Sequence, residues 1–429
     1  MLQSRLGMTT PFKIAANTMV QGLGKLVTAS TTFLVIVLIG KSLGAQGYGE
    51  FAKIFAVVEL FYLVADFGLN ATVVKSIAQQ PDQTKSYLET LLGMRLLIGL
   101  ALVLVLVPVS SMLPYEQGQG FNPLVKLGIV IAGLTVITQA LFLSGNAFFQ
   151  SQLRYDQSVI ALMLGAFAKL GLAFVATQLQ QTLLAFVWVM VAGEGVMVVV
   201  IMWQLYRRLG LLIPRLSWPT VLFLLRQSWP LGATLIFTQI YFRIDTVLLG
   251  VFRPSVEVGY YTLAYRFFDA ALVVPIFFAN ALYPVLLAHY QQGIDKLLQI
   301  MKNAFMLSLA GGIGAAVVMA AAAPFVLKLF LQEQFNGAVA PLTIFALQLP
   351  IFYLSSLLMW LVIVLNQQRL LLFFYGSGAL INVTLNLIFI PHYGYIASAV
   401  ITGVSELYIL LLLIGANVYT VRKIMRGSP

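Results

Sequence analysis

Apolar runs long enough to cross a bilayer recur along the whole chain, separated by short gaps, and this recurrence limits the possible folds more than any other feature. Twelve such segments begin near Ile14, Tyr48, Ser86, Leu124, Ser158, Thr182, Trp229, Glu257, Ala304, Leu342, Leu370 and Ile396. Each is near or above the ~20 residues that a helix needs to span the hydrocarbon. Hydrophobic residues make up 60% of the chain and charged ones 9%, whereas a soluble domain would carry about 25% charged residues. Lipid is therefore the solvent. With no water to bond the peptide groups, each segment must satisfy its own backbone, so the expected fold is all-helical.

The cations set the orientation. The N-terminus, the tail and every second gap hold Arg5, Lys13, Lys75, Lys85, Arg154, Arg207, Arg208, Arg215, Lys296, Lys302, Arg369, Arg422, Lys423 and Arg426, which is 14 of the 25 Lys plus Arg. The alternate gaps hold only Lys41, Arg253 and Lys328. Cytoplasmic loops are enriched in Lys and Arg, so both termini are expected in the cytoplasm.

Several classes fall away. The formal charge of +11 would suggest nucleic acid in a soluble protein, but here topology and anionic cytoplasmic lipid account for the loop cations. The chain has no cysteine, so it offers no disulfide, thiolate nucleophile or Cys-ligated metal. His289 and His392 fall in loops on opposite sides, and no metal or other cofactor is expected. The first apolar stretch is too long for a signal-peptide core and reads as a retained helix. The exterior loops are short and carry only Glu116, Glu257 and Glu333 as carboxylates, which argues against a membrane glycan polymerase or ligase.

A basic stretch from Arg207 to Ser228 divides the chain nearly in half, and its Leu211 to Leu225 portion is suited to lie at the cytoplasmic interface. The halves echo each other. Leu38, Ile39, Gly40, Gly47, Tyr48 and Ala52 correspond to Leu248, Leu249, Gly250, Gly259, Tyr260 and Ala264, and Glu194 corresponds to Glu406. An even number of spans per half gives both copies the same orientation. The expected architecture is two pseudo-symmetric six-helix bundles around a central cavity, with an N-terminal lobe over residues 1–210 and a C-terminal lobe over 211–429 that begins with the interfacial segment.

Ionisable residues inside spans are expensive, so they mark candidate functional sites. They concentrate in segments one, two, seven and eight. Asn17, Gln21 and Lys25 share a helical face with Thr28 and Thr32; Gln239 and Arg243 share a stripe with Thr246, beside a second stripe of Thr234, Thr238, Tyr241 and Asp245; Tyr265, Arg266 and Asp269 share a third face. Lys25, Lys53, Arg243 and Arg266 are the expected ligands of an anion, with Asn17, Gln21, Gln239, Asp245 and Asp269 as polar lining. Arg243 and Arg266 lie roughly 14 Å from the exterior ends of their helices, and guanidinium groups stay charged and grip phosphate in a fork. The competing reading pairs Arg243 with Asp245 and Arg266 with Asp269 to hold helices together. Asp66 with Glu59, and Glu194 with Glu406, are candidates for proton or sodium coupling, Glu194 having Lys169 as an alternative ion-pair partner. Gly311, Gly312, Gly314 and Ala315 to Ala323 read as close-packing surface.

Asn17 to Gly24, then Leu43, Gly44, Gly47, Tyr48, Gly49 and Phe51, and after them Asp66, Phe67, Gly68 and Leu69, resemble the start of bacterial polysaccharide flippases of the O-antigen translocase type. These belong to the multidrug/oligosaccharidyl-lipid/polysaccharide superfamily. The resemblance implies a V-shaped pair of bundles in the bacterial inner membrane that carries undecaprenyl-diphosphate-linked oligosaccharide to the outer leaflet by alternating access. It also implies cations in a cavity lined by helices one, two, seven and eight, and glycan polymerase and glycosyltransferases as partners in the same pathway. A multidrug cation antiporter of the same superfamily is the alternative, and would need a cavity dominated by carboxylates.

Overall fold

The computed structural model describes residues 10–116, 118–331 and 333–426, with side chains from Val20 on except those of Leu63, Thr234, Ala323, Phe330 and Leu331. Arg5, Lys13, Asn17 and Thr234 lie outside the described residues or side chains.

The described chain is almost entirely helical, as the need to satisfy backbone groups in lipid requires. In chain order the helices are α1 (Thr10–Asp66), α2 (Leu69–Gln79), α3 (Thr84–Met112), α4 (Pro123–Ala132), α5 (Leu134–Ser151), α6 (Tyr155–Gln178), α7 (Leu183–Leu209), α8 (Trp218–Phe252), α9 (Ser255–Gln291), α10 (Ile294–Leu331), α11 (Val339–Val364) and α12 (Arg369–Met425). A two-stranded hairpin, β1 (Tyr115–Glu116) with β2 (Gln119–Gly120), follows α3.

Among the described residues, ten helical stretches are long and apolar enough to cross a membrane. The sequence pattern suggested twelve. The difference lies in α1 and α12, each 57 residues long, or about 85 Å at ~1.5 Å per residue. That is more than twice the hydrocarbon thickness of about 30 Å. Each is interrupted by a glycine in the left-handed region, Gly44 at φ 68° and Gly394 at φ 61°, a conformation that a side chain disfavours. These two glycines fall between the sequence segments that begin at Ile14 and Tyr48, and at Leu370 and Ile396.

The helices form two compact units, Met1–Tyr115 with Phe121–Ile236, and Glu116–Gly120 with Phe237–Pro429. The first is built on buried Leu69, Val73, Leu88, Leu91, Phe149, Met197, Ile201 and Leu224. The second is built on Leu286, Leu297, Leu357, Val362, Ile409 and Leu413. Gly312 lets α10 approach α11, since a Cβ there would lie 2.7 Å from the Pro350 Cα. Gly314 faces open space, so only part of the expected small-residue surface is used in packing.

The segment after α7 behaves differently from the sequence reading, which placed it with the second half. The Glu89 side chain on α3 accepts from the Arg215 guanidinium and, at 3.4 Å, from the Ile213 N–H, while the Arg215 N–H donates to the Glu89 carbonyl at 3.1 Å. Ser228 donates to the Thr72 hydroxyl at 2.9 Å. Residues 211–236 are therefore part of the first unit, with Val221 and Leu224 buried and Leu211, Ile213, Leu216, Trp218 and Leu222 exposed.

Candidate functional site

In the second unit, Arg243 on α8 and Asp269 on α9 form an ion pair at 3.1 Å, with side chains 24% and 32% exposed. The Arg243 guanidinium also lies over the Tyr265 ring, 5.4 Å from its centroid. That ring is buried and wedged among Tyr261, Phe268 and Phe345, with centroids 5.8, 5.6 and 5.3 Å away. A buried aromatic floor thus places a permanent cation at an accessible surface, and the ring quadrupole favours the charge above it. Arg266 and Gln239 are half-buried.

Asp245 has another role than the expected one. It is buried, accepts from the Thr246 backbone N–H at 2.6 Å and the Thr246 hydroxyl at 3.2 Å, and takes a hydrogen bond from the Tyr261 hydroxyl. It is therefore a packed carboxylate and not part of an accessible polar lining. Arg243 reaches across to Asp269 on α9, whereas residues two apart on one helix, such as Arg243 and Asp245, point to different faces. Glu406, on α12, is also buried and accepts from the Tyr241 hydroxyl at 2.8 Å.

In the first unit, Lys25 is exposed and Gln21 half-buried on α1. Lys53, expected beside them as an anion ligand, is fully buried, with its ammonium 5.7 Å from the Phe121 ring centroid. Asp66 bonds Arg95 at 2.5 Å, and Arg95 also donates to the Ser144 hydroxyl at 3.2 Å. Glu59 is half-buried further along α1. Glu194 accepts from Thr138 at 2.8 Å and from Lys169 at 3.3 Å, so the anticipated Lys169 partnership is observed.

Two contributors were missed. Arg95 is a fully buried arginine in the middle of an apolar span, and that alone signals an internal acidic partner. Tyr265 lies on the helical face that the periodicity predicts, but nothing in its spacing distinguishes a ring under a cation from a core ring.

On the side opposite the expected cytoplasmic face, Arg253 grips Glu257 with two hydrogen bonds of 2.9 and 2.7 Å. This raises the Arg253 pKa above the usual guanidinium range. The same carboxylate accepts from the Tyr395 N–H at 3.3 Å, just past Gly394, and so clasps the α8–α9 turn to the interruption in α12.

The arrangement offers a guanidinium seated on a buried ring in a largely apolar multi-pass membrane protein. A putative O-antigen transporter of Shigella dysenteriae is 21% identical over 392 residues, covering 90% of this chain and 95% of that protein. The fold is similar to that of the lipid II flippase MurJ in an inward closed conformation, with a TM-score of 0.75, 14% identity, and coverage of 96% of this chain and 90% of that one. It is equally similar to an inward-facing multidrug resistance MATE family transporter of the MOP superfamily, at a TM-score of 0.76, 15% identity, and coverage of 91% and 95%. At such identities the two structures speak for the fold alone. The profile of the family described as polysaccharide biosynthesis protein matches residues 14–289, well over half of the chain, and the chain belongs to that family.

Proposed function

We propose that this protein moves an oligosaccharide linked through diphosphate to a polyprenyl lipid from the cytoplasmic to the outer leaflet of a bacterial inner membrane, by alternating access. The observation that carries this reading is the accessible Arg243, held over Tyr265 within a chain of the polysaccharide biosynthesis family. A diphosphate loses hydration when it leaves the interface, and a guanidinium that cannot deprotonate offsets that loss with charge-assisted hydrogen bonds. Arg266 and the exposed Lys25 are proposed as further cations met by the substrate. The relative named as an O-antigen transporter supports the substrate class, and glycan polymerase and glycosyltransferases are proposed as neighbours in the pathway.

The same reading includes twelve crossings with both termini in the cytoplasm, α1 and α12 each crossing twice about Gly44 and Gly394. An inside-negative potential favours outward anion movement by about 2.3 kcal/mol per charge per 100 mV. Glu194 and Glu406 are the carboxylates proposed for proton or sodium coupling, with Glu59 as a third. A multidrug cation antiporter would share this fold but would be served poorly by a fixed arginine at its accessible intramembrane surface.

The test is flipping of a fluorescent lipid-linked oligosaccharide by the full chain in liposomes. Arg243→Ala is expected to abolish flipping in protein that still inserts, and Arg243→Lys to restore it only in part, since an ammonium lacks the bidentate fork. Full transport by the neutral pair Arg243→Gln with Asp269→Asn would make the ion pair structural and remove Arg243 from the site.

A further inference from the structure

Resting on the reading of Arg243 as a diphosphate ligand, we propose that Asp269 is the internal anion of that site. It holds the guanidinium when the site is empty, is displaced by the incoming phosphate, and re-forms the pair as the phosphate leaves. Its role is to set affinity and permit release, and it is a positioning residue that acts through Arg243.

This pair differs from the other ion pairs described. Lys169 with Glu194 also joins two helices, at 3.3 Å, but its carboxylate is only 11% exposed and also accepts from Thr138. Arg95 with Asp66 is closed off, the arginine being wholly buried. Arg253 with Glu257 lies within one helical turn, and its carboxylate is also committed to the Tyr395 N–H. Arg243 with Asp269 joins two helices at 3.1 Å while both side chains remain partly exposed, at 24% and 32%, which leaves room for a competing anion beside either partner. The guanidinium does not depend on the carboxylate for its position, because the buried Tyr265 ring lies beneath it. Asp245 cannot take over the role, being buried and engaged by Thr246 and Tyr261.

An exposed pair of this kind is weak, whereas phosphate oxygens offer the same charge-assisted bonds with greater charge. The exchange is therefore favourable but not without cost. A ligand that binds only when Arg243 has let go of Asp269 has its apparent affinity lowered by the fraction of sites so released. The carboxylate also repels the arriving anion. Together these terms amount to a roughly three- to tenfold weakening. The weakening is useful, since a fixed arginine in low dielectric without a competitor would retain its diphosphate.

The experiment measures the Kd of farnesyl diphosphate for the full chain in nanodiscs by calorimetry, with thermal unfolding of each variant alongside. Asp269→Asn is expected to bind about three- to tenfold tighter than wild type, and Asp269→Glu to stay within about twofold of it. On an Arg243→Ala background the same Asn change is expected to tighten the remaining binding by less than it does when Arg243 is present. A residue that merely holds helices together would give weaker binding and a lower Tm on Asp269→Asn. Unchanged or weaker binding by Asp269→Asn, with Arg243→Ala also weakened, overturns the internal-anion role and leaves the proposed site standing. Wild-type binding by Arg243→Ala sinks the site itself. Should Asp269→Asn fail to accumulate as a folded protein, Asp269→Ser removes the same charge and is read in the same way.

Discussion

Replacing Arg95 with Met tests whether Asp66 is a structural carboxylate or an ion carrier. Arg95 is fully buried, bonds Asp66 at 2.5 Å, and has Ser144 as a second acceptor at 3.2 Å. Removing one partner of a buried pair costs about 3–5 kcal/mol, because the other charge is left without compensation. The two sides are not equivalent. The Asp66 side chain keeps 20% exposure while Arg95 has none, so a stranded Asp66 recovers some hydration and a stranded Arg95 recovers none. Arg95→Met is thus expected near the lower end, about 3 kcal/mol, and Asp66→Asn nearer 4–5 kcal/mol. The double variant removes both charges, and its expected cost is within about 1 kcal/mol of zero, since neutral side chains of similar volume replace buried ion pairs with little penalty. Unfolding of purified protein in mixed micelles gives the three values, and flipping in liposomes shows whether the stable double variant still transports. Additive costs would refute the pairing argument. Loss of transport in a fully stable double variant would return Asp66 to the list of coupling carboxylates.

Three further outcomes are expected. Gly394→Ala forces a side chain into the left-handed region at φ 61° and against the Glu257 carboxylate, so it should cost about 1–3 kcal/mol, read as a lower Tm, whereas an unchanged Tm would mean that the clasp yields freely. Arg215→Ala strands Glu89, whose side chain is nearly buried, and should open residues 211–218 to chymotrypsin at Leu211 and Trp218; Glu89→Gln should have the milder effect, because the exposed Arg215 can return to water. Single cysteines introduced into this cysteine-free chain should place Gln119 outside and Gln80 inside when labelled with an impermeant maleimide, and the reverse pattern would overturn the orientation read from the cations.

What sequence alone determined about this protein is whatever a local pattern can carry. Apolar length announced the long membrane-spanning helices, cation alternation supplied an expected orientation, and a 3.6-residue period put Gln239, Arg243 and Asp269 on faces that remain partly exposed. The burial of Lys53 and of Asp245 and the pairing of Arg243 with Asp269 were decided only in three dimensions. So were the capture of Asp66 by Arg95 and the docking of residues 211–236 on Glu89 and Thr72. Each of these depends on which side chain a neighbouring helix brings within about 3 Å, a distance at which an ion pair forms or fails. Periodicity gives the direction in which a side chain leaves its own helix. It carries no information on what stands opposite, and for a charge in low dielectric that opposite group determines whether it is a buried strut or an accessible ligand.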